Sequence, residues 1–135
     1  LTASTTITQE SHDGKTLLMG AAGAALTFTL PAALGTGAKY RFVNSVVNTS
    51  NYVIKVANAT DIMAGSILST QDGGDTVVGW ETAADSDTIT LNGTTTGGVN
   101  IGDWIELQDI KAGFFSVTGM MVSSGTEATP FSATV

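Results

Sequence analysis

The chain has 135 residues, no cysteine, one histidine and a net charge of −7 from 12 acids and five bases. That excludes a disulfide framework and thiolate chemistry, and it argues against nucleic acid, whose phosphates need clustered Lys and Arg, and against anionic membrane surfaces. Only 13% of the residues are charged, about half the usual share, so Thr and Ser carry the polar work; Thr, β-branched and hydrogen-bonding, suits solvent-facing strand positions.

Residues 1-135 are expected to form one β-domain. Segment 1-10, LTASTTITQE, reads as an extended N-terminal arm or edge strand in which only Leu1 and Ile7 are large and apolar. Ser11 to Gly14 is a turn, Lys15 to Met19 a short strand, and Gly20 to Ala25 a small-residue loop with room for one helical turn. Leu26 to Leu30 alternates, with Leu26, Phe28 and Leu30 on one face, and Pro31 ends it. Lys39 to Val43 puts Tyr40 and Phe42 opposite Lys39 and Arg41. Tyr52 to Ala57 puts Tyr52, Ile54 and Val56 on one face and Lys55 on the other. Ile62, Met63, Ile67 and Leu68 fit one or two strands broken at Gly65. Gln71 to Asp75 is a turn, and Thr76 to Glu81 a strand with Val78 and Trp80 on one face.

Asp85 to Leu107 carries the clearest pattern. Thr88, Thr90 and Asn92 alternate with Ile89 and Leu91, Asn92-Gly93 signals a turn, and Trp104 and Glu106 then alternate with Ile105 and Leu107. Lys111 to Gly113 turns into a strand, Gly113 to Val122, with Phe114 and Phe115 in succession. Segment 126-135, TEATPFSATV, reads as an extended C-terminal arm. Nine or ten short strands separated by turn signals predict an all-β, single-domain antiparallel β-sandwich or barrel with extended terminal arms. The expected core is Phe28, Leu30, Phe42, Ile54, Val56, Val78, Ile89, Leu91, Ile105 and Leu107.

Candidate chemistry is sparse. Ser11-His12-Asp13 are adjacent in sequence, whereas triad members converge from separate segments, so His12 is expected at the surface. Asp85-Ser86-Asp87 and Asp72 with Asp75 offer carboxylates, but neither has the spacing of a calcium loop, and Asp and Gly there suit turns. Trp104 and Glu106 share a strand face, a sugar platform with an acid in one reading and core or interface packing in the other. Gly73-Gly74 and Gly97-Gly98 lack the Lys and helix start of a phosphate loop. No catalytic residue, cofactor or metal is expected. No basic stretch precedes an apolar run at the start of the chain, so no signal peptide is expected.

Three segments, LPAALGTGAKYRF (30–42), YVIKVANATDIM (52–63) and 81–135 with ETAADSDTITLNGTTTGG, GDWIEL and SGTEATPFSAT, resemble a family of small β-rich virion proteins of tailed bacteriophages. The resemblance covers well over half the chain. It implies a head decoration, or cement, protein on the outer capsid surface, a homotrimer whose partners are the major capsid protein and itself. The alternative is a tail-fibre or appendage component that binds a receptor or carbohydrate, which would display an exposed aromatic cluster drawn from Trp80, Trp104 or Tyr52. Candidate interface residues are Leu1, Ile7, Phe114, Phe115, Pro130 and Phe131. Phe114 and Phe115 point to opposite faces of one strand, so one of them needs a cover. Phe131, beside Pro130, either docks into a neighbouring subunit or closes the domain's own core.

Overall fold

The computed structural model describes residues 1–74 and 76–135. Its strands are β1 (Thr5–Thr6), β2 (Lys15–Met19), β3 (Leu26–Thr29), β4 (Lys39–Asn44), β5 (Tyr52–Lys55), β6 (Ile62–Gln71), β7 (Val77–Glu81), β8 (Thr88–Leu91), β9 (Trp104–Lys111), β10 (Phe114–Ser123) and β11 (Phe131–Ser132), with one short helix, α1 (Gln9–His12). They form a five-stranded sheet, β1-β3-β5-β8-β11, and a six-stranded sheet, β2-β4-β9-β10-β6-β7. The fold is all-β, and neither sheet closes into a barrel.

The sheets are mixed, which corrects the antiparallel expectation. From β1 to β5 the chain steps to the other sheet after every strand, so strands two positions apart become neighbours and run the same way. β1 with β3, β3 with β5 and β2 with β4 are therefore parallel. β6 and β10 also pair in parallel, along Ile62 to Gln71. Alternation reveals which face of a strand is buried, but it carries no information on strand direction.

Both sheets feed one core. Phe28 of the first sheet lies 5.5 Å from Phe42 of the second, ring centre to ring centre. The expected core residues are buried except Val78, which is half-exposed because β7 is an edge strand. Gly65 does not break β6. It sits within the strand at φ +150°, where its missing side chain lets β10 approach.

The N-terminal segment takes its edge-strand alternative, β1 lying at the edge of its sheet, and the C-terminal segment likewise pairs within the domain. Ile7 is fully buried, and β1 pairs with β3. Gln9 to His12 form α1, with Thr8 as N-cap accepting from the Ser11 N–H, which replaces the expected extended run into a turn. Leu1 packs against the core, and its carbonyl accepts from the Gly20 N–H at 3.0 Å. At the other end β11 pairs with β8, and Asp87 accepts from the Thr134 and Val135 N–H groups at 2.8 and 3.1 Å. Each terminal segment contains one large side chain that the core needs, and that burial outweighs the cost of ordering a short stretch.

Phe131 thus closes the domain's own core, at 8% exposure. Phe131→Ala is expected to destabilise the fold by about 3 kcal/mol in a urea titration. A loss under about 1 kcal/mol would mean that the C-terminal segment contributes little to the fold.

Candidate functional site

Three buried aspartates act as clasps: Asp109 and Asp61, which sequence reasoning left unassigned, and Asp87, which it placed with Asp85 in a turn. Asp109 accepts from the N–H groups of Leu34, Gly35 and Thr36 at 3.1, 2.6 and 2.9 Å, and from the Thr36 hydroxyl at 2.8 Å. Asp61 accepts from the Ala33 N–H at 2.9 Å. Together they hold the crossing between sheets that the segment LPAALGTG forms, where Gly35 and Gly37 take φ of +77° and +81°. Burial raises the Asp109 carboxyl pKa, but its four donors outweigh that, and the net shift is downward. At Asp87 burial is again the largest influence, and the Thr134, Thr88 and Val135 donors and Lys55 turn the net shift downward too. These carboxylates are occupied by the fold.

The catalytic and ligand readings do not assemble. His12 Nδ1 accepts the Thr8 N–H at 3.0 Å, while Asp13 accepts from the Lys39 N–H at 2.8 Å. Ser86 is buried and accepts from the Ala83 N–H, beside the C-terminal clasp of Asp87. Asp75, half of the Asp72 pair, lies outside the described residues. Among the described residues no three of His, Asp and Glu gather at metal-binding distance. Tyr52 is fully buried. Trp80 packs inward against the core, and Trp104 points outward from the same sheet. No exposed cluster of these three aromatics forms. The Arg41 guanidinium lies 3.9 Å from the centre of the Trp104 ring and 3.7 Å from Glu106, so one face of the sugar-platform candidate is already covered.

What the outer face of the six-stranded sheet does present is apolar surface in two places. The cross-strand partners Leu18, Val43, Trp104, Met120, Leu68 and Gly79 make one row across all six strands. Val122, Thr70 and Val77 continue it on one side. Leu18, Leu68, Val77 and Met120 are 51%, 46%, 61% and 53% exposed. The row borders a groove of about 370 Å³ walled by Leu68, Val77, Trp104, Met120 and Asp103. Burial pushes the Asp103 carboxyl up from the ordinary carboxylate range, against the pull of its backbone donors. At strand spacings of about 4.8 Å the row is about 24 Å long.

The second surface lies at the other end of the sheet, about 20 Å away along β9 at about 3.3 Å per residue. Ile110 and Leu34 are 52% and 70% exposed there. Phe114 stands beside them under the Lys111 ammonium, 4.9 Å from its ring centre, with Ile62 as its cross-strand partner. Of the sequence-derived interface candidates, Ile7, Phe115, Pro130 and Phe131 are buried within the chain's own fold, and Leu1 is partly buried against it. Phe114 joins the second surface.

No family model, curated protein or solved structure matches the chain.

Between the two surfaces the face is polar. Thr16, Arg41, Glu106, Thr118, Ser66 and Glu81 make the row next to the apolar one. The charged residues on the outward side of these strands are Lys39, Arg41 and Lys111 against Glu81 and Glu106. The face thus carries none of the net negative charge of a chain at −7. It combines apolar surface with a mixed-charge polar strip, while most of the acids lie elsewhere.

Proposed function

We propose that the protein is a structural virion component, a β-sandwich that decorates the outer surface of a bacteriophage head and cements neighbouring capsid subunits. The observation that carries this reading is the pair of apolar surfaces at opposite ends of one sheet. A protein with two separated docking surfaces can join two neighbours, which is what a cement protein must do, whereas a receptor-binding appendage needs one specific pocket or platform. The resemblance of segments 30–42, 52–63 and 81–135 to virion proteins of tailed phages supports the same role. So does the dispersion of the five bases, which leaves no patch to capture released DNA.

In this reading the surface formed by Leu34, Ile110 and Phe114 faces the major capsid protein. Each contact is modest, and repetition over the shell supplies the avidity. The test is Ile110→Glu on purified protein added to undecorated shells. Ile110 is half exposed, so the fold tolerates the change. Occupancy at sub-saturating concentration should fall at least tenfold against wild type. Undiminished occupancy would reject this surface, and failure of the wild-type protein to bind any shell of its own phage would reject the decoration role.

A further inference from the structure

We propose that the apolar row across the six-stranded sheet is the docking surface for a second copy of this chain, related by a two-fold axis that runs along the strands between β9 and β10. This rests on the reading of that face as a protein-contact surface, and it assigns the occupant.

The row is self-complementary under that axis. Order across the sheet is β2-β4-β9-β10-β6-β7. Turning a copy over about a line between the middle two strands places β2 against β7, β4 against β6 and β9 against β10 of the partner. The apolar residues then meet in matched pairs. Leu18, half exposed, comes over Gly79, which has no side chain. Val43 comes over Leu68. Trp104 comes over Met120, a sulfur–aromatic contact. Sheets packed face to face lie about 10 Å apart, a gap that side chains of these sizes fill from both sides.

Charge placement agrees. On β4 the polar row carries Arg41, with Lys39 beside it, and at the far edge on β7 it carries Glu81, an acid with no ion pair among the described residues. The same axis carries Glu81 of one copy to the β2–β4 side of the other, next to Arg41. Two such cross-contacts form, one on each side of the axis. Glu106 remains with Arg41 of its own chain, 3.7 Å away. With three bases against two acids, the face carries none of the chain's net negative charge, so two copies meet there without the repulsion that charge imposes elsewhere.

The area is sufficient. The half-exposed row, with Val77 and the partly covered Trp104 and Val122, offers on the order of 600 Å² of accessible surface per copy, against about 800 Å² in a standard interface. The flanking Thr16, Thr118 and Ser66 supply the polar rim. A two-fold contact uses one patch on both partners and closes the assembly at two, in place of the three-fold arrangement that the family resemblance implies.

Cross-linking tests the axis directly, because the natural chain has no cysteine. The double variant Leu18→Cys/Gly79→Cys is treated with a bismaleimide of about 10 Å span, the separation of packed sheets. Residues 18 and 79 stand about 24 Å apart within one copy, beyond the reagent, but face each other between copies. Gly79 accepts a side chain, since its nearest neighbour would be the Leu68 Cδ2 at 3.6 Å. The double variant should give a covalent dimer in high yield, and each single variant should give none. Sedimentation of the wild type at about 50 µM should show twice the 13.7 kDa chain mass, and Met120→Glu should return it to one chain, with the melting temperature that the wild type shows once diluted to monomer. A wild-type monomer, a trimer, or a double variant that does not cross-link would each overturn the proposal. The same axis brings Ile110 over Phe114 of the second copy, so shell binding is read separately on the monomeric Met120→Glu chain, with and without Ile110→Glu.

Discussion

Gly65→Ala should be the most damaging single substitution in this fold. Gly65 holds φ at +150°, a conformation that L side chains rarely adopt, and a Cβ built there would overlap the Val117 carbonyl oxygen. The obstacle is backbone of the paired strand, so no rotamer change relieves it. Relief requires β6 and β10 to separate where they pair in parallel, and Met63, Ile67, Phe115 and Val117 from those strands all lie in the core. Backbone strain and overpacking each cost about 1–3 kcal/mol, so a combined loss of about 4 kcal/mol or more is expected. A urea titration of the purified variant reads it as a shift of midpoint at constant slope. A loss below about 1 kcal/mol would show that the strands slide past one another freely, against the tight approach described above. Gly79→Ala, on the neighbouring strand, where a Cβ would meet the Leu68 Cδ2 at an ordinary contact distance of 3.6 Å, should stay within about 1 kcal/mol.

Asp109→Ala should come close behind. The carboxylate satisfies three backbone N–H groups and one hydroxyl at the crossing of residues 34–36, and its removal leaves them buried without an acceptor. Removing one partner of a buried charged network costs about 3–5 kcal/mol, which corresponds to a fall in melting temperature of about 10 °C or more for a chain of this size. The acid dependence follows from the same geometry. The Asp109 and Asp87 carboxyls titrate below the ordinary range when folded. The stability they confer is therefore fully present above the unfolded value near 3.9 and is lost as pH falls from there through the lower folded values. Wild-type stability should fall steeply below about pH 4. Asp109→Asn should start lower and fall less steeply, because of the two depressed carboxyls only Asp87 remains to be titrated. A variant with wild-type acid sensitivity would remove Asp109 from this account.

Strand existence and facing were legible in the sequence because alternation is a local property. Tyr40 and Phe42 against Lys39 and Arg41, or Ile105 and Leu107 against Trp104 and Glu106, settle which side is buried without knowledge of any neighbour. Direction and adjacency were not legible. Nothing in KTLLM or KYRFVN says that these strands pair in parallel, since the chain's passage through the other sheet between them dictates it. The helix at Gln9 to His12 was missed because four residues are too few for a 3.6-residue period to declare itself; Thr8 as a cap was its one signal. The apolar row had a partial signature. LLM, FV, IL and MMV place apolar residues on both faces of their strands, which a strand with one wet face does not need. Which of those outward residues meet depended on strand order, so Leu18, Val43, Trp104, Met120 and Leu68 became one surface only in the folded sheet. The terminal segments misled because their composition is that of a flexible arm, and one buried side chain in each, Ile7 and Phe131, decided otherwise.

The alternation of the chain between two sheets governs how the molecule can assemble itself. Among the described residues only β6–β7 and β9–β10 are hairpins between consecutive strands; every other rung joins segments separated by at least one passage through the opposite sheet. Neither sheet can therefore be completed before the other, and no half of the molecule has a closed core of its own. Such a chain must cross a barrier made of lost chain entropy before its long-range contacts return anything, which places it among slow, all-or-none folders. Until that step is complete, the rows on the outer face do not exist, because each row draws on strands from distant parts of the sequence. Nascent chains thus have no ordered surface through which to associate, and only finished molecules acquire one.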